Sequence, residues 1–246
     1  MEKNKLKIPK RGAEQMPYME LFDKDVINQT FNHNKLLQFL LDKQSYPIKL
    51  SKVKLGKGDI LFHENKVHDY IYLVVEGLFS AWKDNHIIEF MGQKEFIGTE
   101  SILSNEDSLF TIEALEDAIV WRFSKEDVMC KLMSTQDGLF FLYSDMKAVN
   151  ESLTKRNAFQ TGTTGSRILG SIIQLGKRYG EENAVSVVLP KSLNKKIIAN
   201  YSNVTQTTMY YTCKQLTLDG FLEESRYRLK INKSRTKELN NLKVLM

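Results

Sequence analysis

The stretch from Asp137 to Gln160 limits how this chain can fold more than any other part of it. Its apolar residues recur at alternating steps of three and four, at Leu139, Leu142, Met146, Val149 and Leu153. That spacing places them along one narrow face of a single long helix. A face this narrow suits a partner helix running alongside, most simply the same helix of a second copy, so we predict a homodimer interface here. The alternative is an ordinary core helix, because Phe140, Phe141 and Tyr143 lie on its other faces.

The long helix separates two regions of opposite charge. Residues 161–165 are all Thr or Gly, which disfavour helix and predict a hinge. Residues 51–135 carry 9 basic and 15 acidic side chains, whereas residues 164–246 carry 14 and 6, a net charge of +8. The basic end indicates a polyanionic partner, although solvated lysines alone could produce part of the excess. We therefore divide the chain into an N-terminal extension (1–30), a middle domain (31–135), the long helix with its hinge (136–163) and a C-terminal domain (164–246).

Composition and cysteine content indicate the compartment and the chemistry. The 246 residues are 42% hydrophobic and 26% charged, which is ordinary for a soluble protein. No apolar run is long enough to span a membrane, and the lysine-rich start lacks the apolar core of a signal peptide. We expect a cytoplasmic protein with no membrane partner. Cys130 and Cys213 are too few and too isolated for a disulfide framework or a thiolate metal site, so we predict no cofactor and no metal ion.

Short apolar runs alternate with turn residues throughout the region 48–123. The runs are 53–55, 60–63, 70–75, 78–82, 87–91, 110–115 and 118–123. Many short strands at regular spacing predict a barrel or roll, with Asp84 and Asn85 in one of its hairpins. Short helices are predicted on either side, over 31–44 and over 124–133.

The basic C-terminal region predicts two helices joined by a tight turn within residues 193–224. Asn203 lies in the turn, where it tolerates positive φ, and Thr205 caps the second helix. The inner face of that helix is Met209, Cys213 and Leu216. An amphipathic helix over 166–179 precedes this pair, and the other predicted elements are strands at 185–189, 221–224 and 228–231 and a closing helix from Ser234.

The order of these elements, together with two stretches of sequence, resembles a known family. GKGDILFHENKVHDYIYLVVEGLFSAW (Gly56 to Trp82) and EFIGTESIL (Glu95 to Leu103) resemble the sensor domain of the Crp/Fnr transcription regulators. The resemblance implies an α+β fold with an N-terminal β-roll (a cyclic-nucleotide-binding-like jelly roll), a long dimerisation helix and a C-terminal winged helix-turn-helix. It also implies a homodimeric activator that contacts RNA polymerase and binds a near-palindromic operator on double-stranded DNA through the helix at 205–216.

The residues that bind cyclic nucleotides in this family are absent at the matching positions. The family motif places a glutamate on the ribose hydroxyl and an arginine on the phosphate. Here the glutamate position is Thr99, the arginine position falls near Ser108, and no arginine lies between Lys83 and Trp121. A buried phosphate without a guanidinium partner is costly, so we predict no tight binding of cyclic AMP or cyclic GMP.

The sequence indicates no other known effector of the family. Two isolated cysteines cannot hold an iron–sulfur cluster, and the scattered histidines at 33, 63, 68 and 86 are more typical of structural or solvated residues than of haem ligands. An unidentified small-molecule effector, or constitutive activity as in the PrfA-like branch of the family, both remain open.

Aligning the second helix on the family pattern predicts which residues touch DNA. Gln206 suits adenine, with which it can form two hydrogen bonds. Tyr210 and Tyr211 could instead pack against the wing, which is the pair of strands predicted at 221–224 and 228–231. The predicted base-side residues are Thr205, Gln206, Thr207, Thr208, Tyr210 and Tyr211, and the predicted phosphate contacts are Lys195, Lys196, Lys214, Arg226 and Arg228.

Two other classes of function are alternatives to a DNA-binding regulator. The first is a ligand-binding β-roll module whose winged helix mediates protein contacts, against which the basic excess of the C-terminal domain counts. The second is an enzyme. The sequence contains no P-loop lysine, no Gly-x-Ser-x-Gly and no His-Glu-x-x-His motif, so we predict that the protein is not an enzyme.

Overall fold

The computed structural model describes residues 23–44, 46–103, 106–135, 137–225 and 228–235. In chain order the elements are α1 (Lys24–Thr30), α2 (His33–Leu41), β1 (Leu50–Leu55), β2 (Ile60–Phe62), β3 (Tyr70–Glu76), β4 (Phe79–Lys83), β5 (His86–Met91), β6 (Phe96–Ile97), β7 (Thr111–Ala114), β8 (Ala118–Ser124), α3 (Lys125–Met133), α4 (Gly138–Gln160), α5 (Thr164–Tyr179), β9 (Glu181–Glu182), β10 (Ser186–Val188), α6 (Lys195–Tyr201), α7 (Gln206–Leu218), β11 (Leu222–Ser225) and β12 (Arg228–Asn232).

Strands β1 to β8 form a β-roll of two antiparallel sheets, in the orders β1-β8-β3-β6 and β2-β7-β4-β5. Alternate side chains point inward. The interior between the two sheets contains the buried side chains of Val74, Phe79, Ile112 and Val120. The β3–β4 turn requires Gly77, because its φ is +98° and a Cβ there would lie 2.6 Å from the Cβ of Ala118. The predicted roll is present, and the short strand β6 was missed because Phe96 and Ile97 are too few to show alternation.

A second core lies outside the roll, where α2, α3 and the start of α4 pack on the sheet that contains β3 and β8. It buries Leu36, Ile71, Phe123 and Leu132. Leu142 of α4 belongs to this core and is only 7% exposed. Leu142, which was predicted to lie on a dimer interface, is therefore buried against the β-roll of its own chain.

The N-terminal part differs from the predicted irregular extension over 1–30. Residues 24–30 form α1, whose first turn is capped by Asp23 because its Oδ1 accepts hydrogen bonds from the amides of Asp25 and Val26. The helix predicted over 31–44 is present as the shorter helix α2, which is capped by Asn32 and ends at Leu41. Seven residues without clear periodicity gave no signal of α1.

The C-terminal unit packs α5, α6 and α7 on a four-stranded sheet in the order β11-β12-β10-β9. Its core buries Ile168, Ile172, Met209 and Leu222, and it continues into the β-roll. Helix α5 begins at Thr164, capped by Thr163, so the predicted hinge shrinks to residues 161–163. The predicted helix after Ser234 lies mostly outside the described residues. Within the described ranges, no helix combines the length and apolarity needed to cross a membrane.

Candidate nucleic-acid interface

Helix α7 is held by its inner face and by its cap, which leaves its outer face free. Thr205 Oγ1 accepts a hydrogen bond from the Thr208 amide at 3.1 Å and so caps the helix, as the sequence predicted. The inner residues are Met209, Cys213 and Leu216, which are all buried. The outer residues, all exposed, are Gln206, Thr207, Tyr210, Tyr211 and Lys214.

The turn between α6 and α7 fixes the angle at which α7 leaves the core. Asn203 has φ +53°, as predicted for this position. The amide of Val204 donates to Ala199 O at 3.0 Å, which folds the turn back onto α6. Asn194 caps α6 by accepting from the amides of Lys196 and Ile197. Both helices therefore begin at well-formed caps, with the start of α7 exposed.

Two exposed tyrosines dominate the outer face of α7. Tyr210 is 55% exposed and Tyr211 is 65% exposed, and their rings meet edge to face at 5.6 Å. In the described part of the chain they are therefore not buried against the hairpin β11–β12, which was the alternative interpretation. Lys195 Nζ lies 5.3 Å from the ring centre of Tyr210, so a cation and an aromatic ring stand side by side.

The predicted phosphate-contacting residues differ in their exposure to solvent and in whether they form ion pairs with the protein. Lys196 and Lys214 are exposed. Arg228 is partly engaged, because its Nη1 lies 3.5 Å from Glu181 Oε2 on the neighbouring part of the sheet. Arg226 lies outside the described residues.

A cavity of about 470 Å³ opens beside the start of α7 and adds residues that the sequence did not single out. Thr205 and Thr208 line it together with His86 of the β4–β5 hairpin and Arg167 of α5. Arg167 Nε is buried and has no hydrogen-bond partner within the described residues. None of the described residues that line the cavity is acidic, so this wall is suited to an anion. Only the packing of α5 against α7 brings Arg167 here.

In the β-roll, the side chains at the positions of the family's nucleotide contacts bond to the protein itself. Thr99 Oγ1 donates to Asp145 Oδ2 of α4 at 2.5 Å. Asp145 is 6% exposed, and its other oxygen accepts from His33 Nε2 at 2.6 Å. Burial lowers the pKa of His33, but the hydrogen bond and charge of Asp145 outweigh burial and raise that pKa above its usual value. Ser108 is buried and bonds locally to Phe110.

A second buried polar cluster lies close by. His68 Nδ1 donates to Tyr70 O at 2.9 Å, so Nε2 is left to accept from Ser101 Oγ, also at 2.9 Å. Lys125 Nζ donates to Ser101 O and Oγ. Burial and the Lys125 charge lower the pKa of His68 to about 4, so its ring is neutral at pH 7. The ring stacks on Phe62 at 3.8 Å.

Neither polar cluster is arranged as a metal site. In the residues that the structure describes, no group of three or more His, Cys, Asp and Glu side chains is close enough to hold a metal ion. Glu100 is half-buried, and desolvation raises the pKa of its carboxyl group.

Helix α4 exposes an apolar strip on the side away from the β-roll. Leu139 is 48% exposed, Met146 is 55% exposed and Val149 is 42% exposed. Tyr143, which the sequence placed on another face, is 61% exposed and lies between Leu139 and Met146. Leu153, farther along, is half-buried. The strip is therefore Leu139, Tyr143, Met146 and Val149.

Comparisons with known proteins agree with this architecture. Residues 52–135 match the cyclic nucleotide-binding domain. FixK2 from Bradyrhizobium japonicum is similar in structure, with 18% identity and a TM-score of 0.69 over 79% of this chain and 98% of that one. A cyclic nucleotide-binding domain-containing protein from Listeria monocytogenes EGD-e has 19% identity and a TM-score of 0.65 over 82% and 96%.

A CRP-family transcriptional regulator from Thermus thermophilus shares the fold at 12% identity, with a TM-score of 0.60 over 73% of this chain and 91% of that one. A search of curated proteins found no match. At these identities the similarity establishes the fold. Residues 52–135 therefore match the model of the cyclic nucleotide-binding domain, and the chain shares its overall fold with a transcriptional regulator of the CRP family.

Proposed function

We propose that the protein is a homodimeric, sequence-specific DNA-binding transcription regulator of the Crp/Fnr type that works without cyclic AMP. Helices α6 and α7 with the hairpin β11–β12 form its winged helix-turn-helix, and α7 enters the major groove of a near-palindromic operator. The observation that carries this proposal is the outer face of α7, where Gln206, Thr207 and Tyr211 are exposed beside Lys196 and Lys214. Cytoplasmic location and activation through RNA polymerase stay predictions from the family resemblance.

The residues of α7 suit two kinds of contact with DNA. Gln206, in its first turn, can pair with adenine through two hydrogen bonds, and Thr207 and Tyr211 can each form one. Lys196, Lys214 and Arg167 suit phosphates, which hold the protein in register without reading sequence. The net charge of +8 over residues 164–246 supports the same partner.

Dimer formation through α4 is supported by the exposed strip of Leu139, Tyr143, Met146 and Val149. Three of its residues come from the predicted interface, and Tyr143 takes the place of the buried Leu142. An exposed apolar strip on a long helix is best covered by a second helix, and two-fold pairing of identical strips closes the assembly.

Independence from cyclic AMP is supported by the buried contacts of Thr99 and Ser108. Thr99 is bonded to Asp145, and the sequence has no arginine between Lys83 and Trp121, the stretch that contains Ser108. Calorimetric titration of the purified protein with cyclic AMP and cyclic GMP is expected to show no binding at micromolar concentration. Micromolar affinity for either nucleotide would overturn this part of the proposal.

A protein partner for the C-terminal unit is the second candidate. Tyr210, Tyr211 and Leu218, which is 74% exposed, give α7 an apolar outer face that a protein could cover. The two candidates differ in salt dependence, because contacts with several phosphates make affinity fall steeply with ionic strength, whereas an apolar contact through these three residues depends little on salt.

The deciding experiment is selection of bound sites from a random DNA pool, using the full chain without added ligand. A two-fold symmetric motif is the expected result, and it would show that the protein binds DNA as a dimer unaided. The selection is repeated with cell extract added, on protein shown to be a folded dimer. If neither selection recovers a motif, the protein-contact candidate is favoured.

A further inference from the structure

The C-terminal unit is held on the β-roll by polar contacts that converge on β5 and the turn after it. Arg178 of α5 pairs with Glu89 and also donates from Nη2 to Glu95 Oε1 at 3.0 Å. The same Nη2 donates to Phe90 O at 3.2 Å, and Tyr179 Oη donates to Phe90 O at 2.6 Å. The Arg178 side chain is 29% exposed and the Glu89 side chain only 10%. Arg178 thus bonds to three groups of the β-roll.

Two residues extend this cluster to the long helix. Glu89 Oε2 accepts from Ser152 Oγ of α4 at 2.7 Å, so one carboxylate joins α4, α5 and β5. Arg156 of α4 donates from Nη2 to Ile87 O of β5 and to Tyr201 O of α6, both at 3.1 Å. Each junction connects the β-roll, the dimerisation helix and the C-terminal unit.

A third contact holds the tip of the β4–β5 hairpin against α6. The amide of Ile87 donates to Asn200 Oδ1 at 2.6 Å, and Asn200 Nδ2 donates to Asn85 O at 3.0 Å. Asn200 lies five residues before the cap of α7. The hairpin is therefore bonded to the helix that directly precedes the proposed recognition helix.

These contacts determine how α7 is oriented relative to α4. The chain connection between α4 and α5 is only residues 161–163, and a rotation of the C-terminal unit about it would break the contacts of Arg178, Arg156 and Asn200 together. In a dimer that pairs through α4, the orientation of α7 on each α4 sets the distance between the two α7 helices. That distance must match the spacing of the two half-sites on DNA.

We propose that Arg178 is a positioning residue that fixes this orientation and so sets which half-site spacing the dimer accepts. The inference rests on the proposed function. Arg178 acts through Glu89 and Glu95, which hold its guanidinium group against the β-roll, so its proposed role is to position α7 and not to bind DNA. A unit held in one orientation loses little further freedom on binding, whereas a loosened unit accepts several spacings and binds each more weakly.

The test compares Arg178→Gln with Lys177→Gln in the full chain. The two variants lose the same charge at adjacent positions, and Lys177 is exposed, with no ion pair among the described residues. Anisotropy is measured on duplexes that carry the selected half-sites at the optimal spacing and at spacings one base pair shorter and longer. We expect Arg178→Gln to bind the optimal duplex about fivefold more weakly and to discriminate less between spacings, while Lys177→Gln behaves as wild type. A wild-type spacing profile in a folded Arg178→Gln dimer overturns the proposal.

Hydrogen exchange tests the same contacts without DNA. Amides of residues 86–91 in the free protein are expected to exchange faster in Arg178→Gln than in wild type or Lys177→Gln, with residues 70–76 of β3 unchanged. Equal exchange at residues 86–91 also overturns the proposal. If the wild type binds no DNA, the proposed function fails while exchange still tests the contacts. Should Arg178→Gln not fold, Glu95→Gln, which removes one of its partners, takes its place in both measurements.

Discussion

At the scale of single residues, the buried polar side chains of the β-roll form hydrogen bonds within their own chain. Asp145 on α4 receives one hydrogen bond from Thr99 of the roll and another from His33 of α2. A buried carboxylate is costly unless it is paired, and here both partners come from the same protomer. These bonds tie the N-terminal helices and the long helix to the roll, and they make the stability of that junction depend on pH.

The pH prediction concerns His33. Since its folded pKa lies above its usual value, its bond to Asp145 contributes stability fully below the unfolded pKa of about 6.5 and loses it as pH rises through the folded pKa. We expect His33→Asn to lower the free energy of unfolding more at about pH 6 than at about pH 8. Urea unfolding at both values measures this, with the exposed His63→Asn as control. An equal loss at both pH values would contradict it.

A second residue-scale prediction concerns base reading by Gln206. Replacing it with Ala removes two possible hydrogen bonds to adenine, so discrimination at one base pair should fall by about 1–3 kcal/mol while the fold is unchanged. Competition binding against single-base variants of the selected site measures the loss. Gln215→Ala is the matched control, because Gln215 is exposed farther along the same helix and bonds to Asp219. Unchanged discrimination in Gln206→Ala would refute its role in base reading.

At the scale of elements, α4 serves two surfaces at once. Near its start, Leu142 packs with Leu132 into the core outside the roll, while Leu139, three residues before it, and Met146, four residues after it, stay exposed. Residues three apart on a helix differ by about 60° in direction and residues four apart by about 40°, which is enough to separate a buried from an exposed residue at the edge of a packed face. The spacing placed Leu139, Leu142 and Met146 on one face of the helix. The position of the β-roll buries Leu142 and leaves the other two exposed.

The prediction for this element is that Met146→Asp weakens the dimer. A carboxylate facing its symmetry mate inside an apolar interface is unpaired and desolvated, so the dissociation constant should rise on the order of 100-fold. Sedimentation velocity over a range of concentrations measures the shift. Ala158→Asp adds the same charge at an exposed position of α4 outside the strip and should leave the dimer intact. A dimer that persists in Met146→Asp would remove the strip from the interface.

At the scale of the whole molecule, the uneven charge predicts how DNA affinity responds to salt. Each phosphate contact releases counterions, so the logarithm of the affinity should fall linearly with the logarithm of the salt concentration. Lys196→Gln should weaken binding to all sequences alike and reduce that slope by about one. Lys66→Gln removes the same charge from an exposed position of the β-roll and should leave the slope unchanged. A sequence-dependent loss in Lys196→Gln would contradict a phosphate contact.

The sequence by itself determined the elements whose causes are local. The cap at Thr205, the positive φ of Asn203, the inner face of α7 and most strands of the roll depend on side chains a few residues apart, so their patterns were readable in the chain. Helix α1 and strand β6 were missed because neither is long enough to show a period.

Only the tertiary structure decided which distant groups meet. The bond of Thr99 to Asp145, the junctions of Glu89 and Arg156, and the burial of Leu142 join residues far apart in sequence. No local pattern encodes these contacts, because each forms only when the roll, the long helix and the C-terminal unit are packed together. The elements therefore follow from the sequence, whereas the orientation of α7 relative to α4 follows from packing.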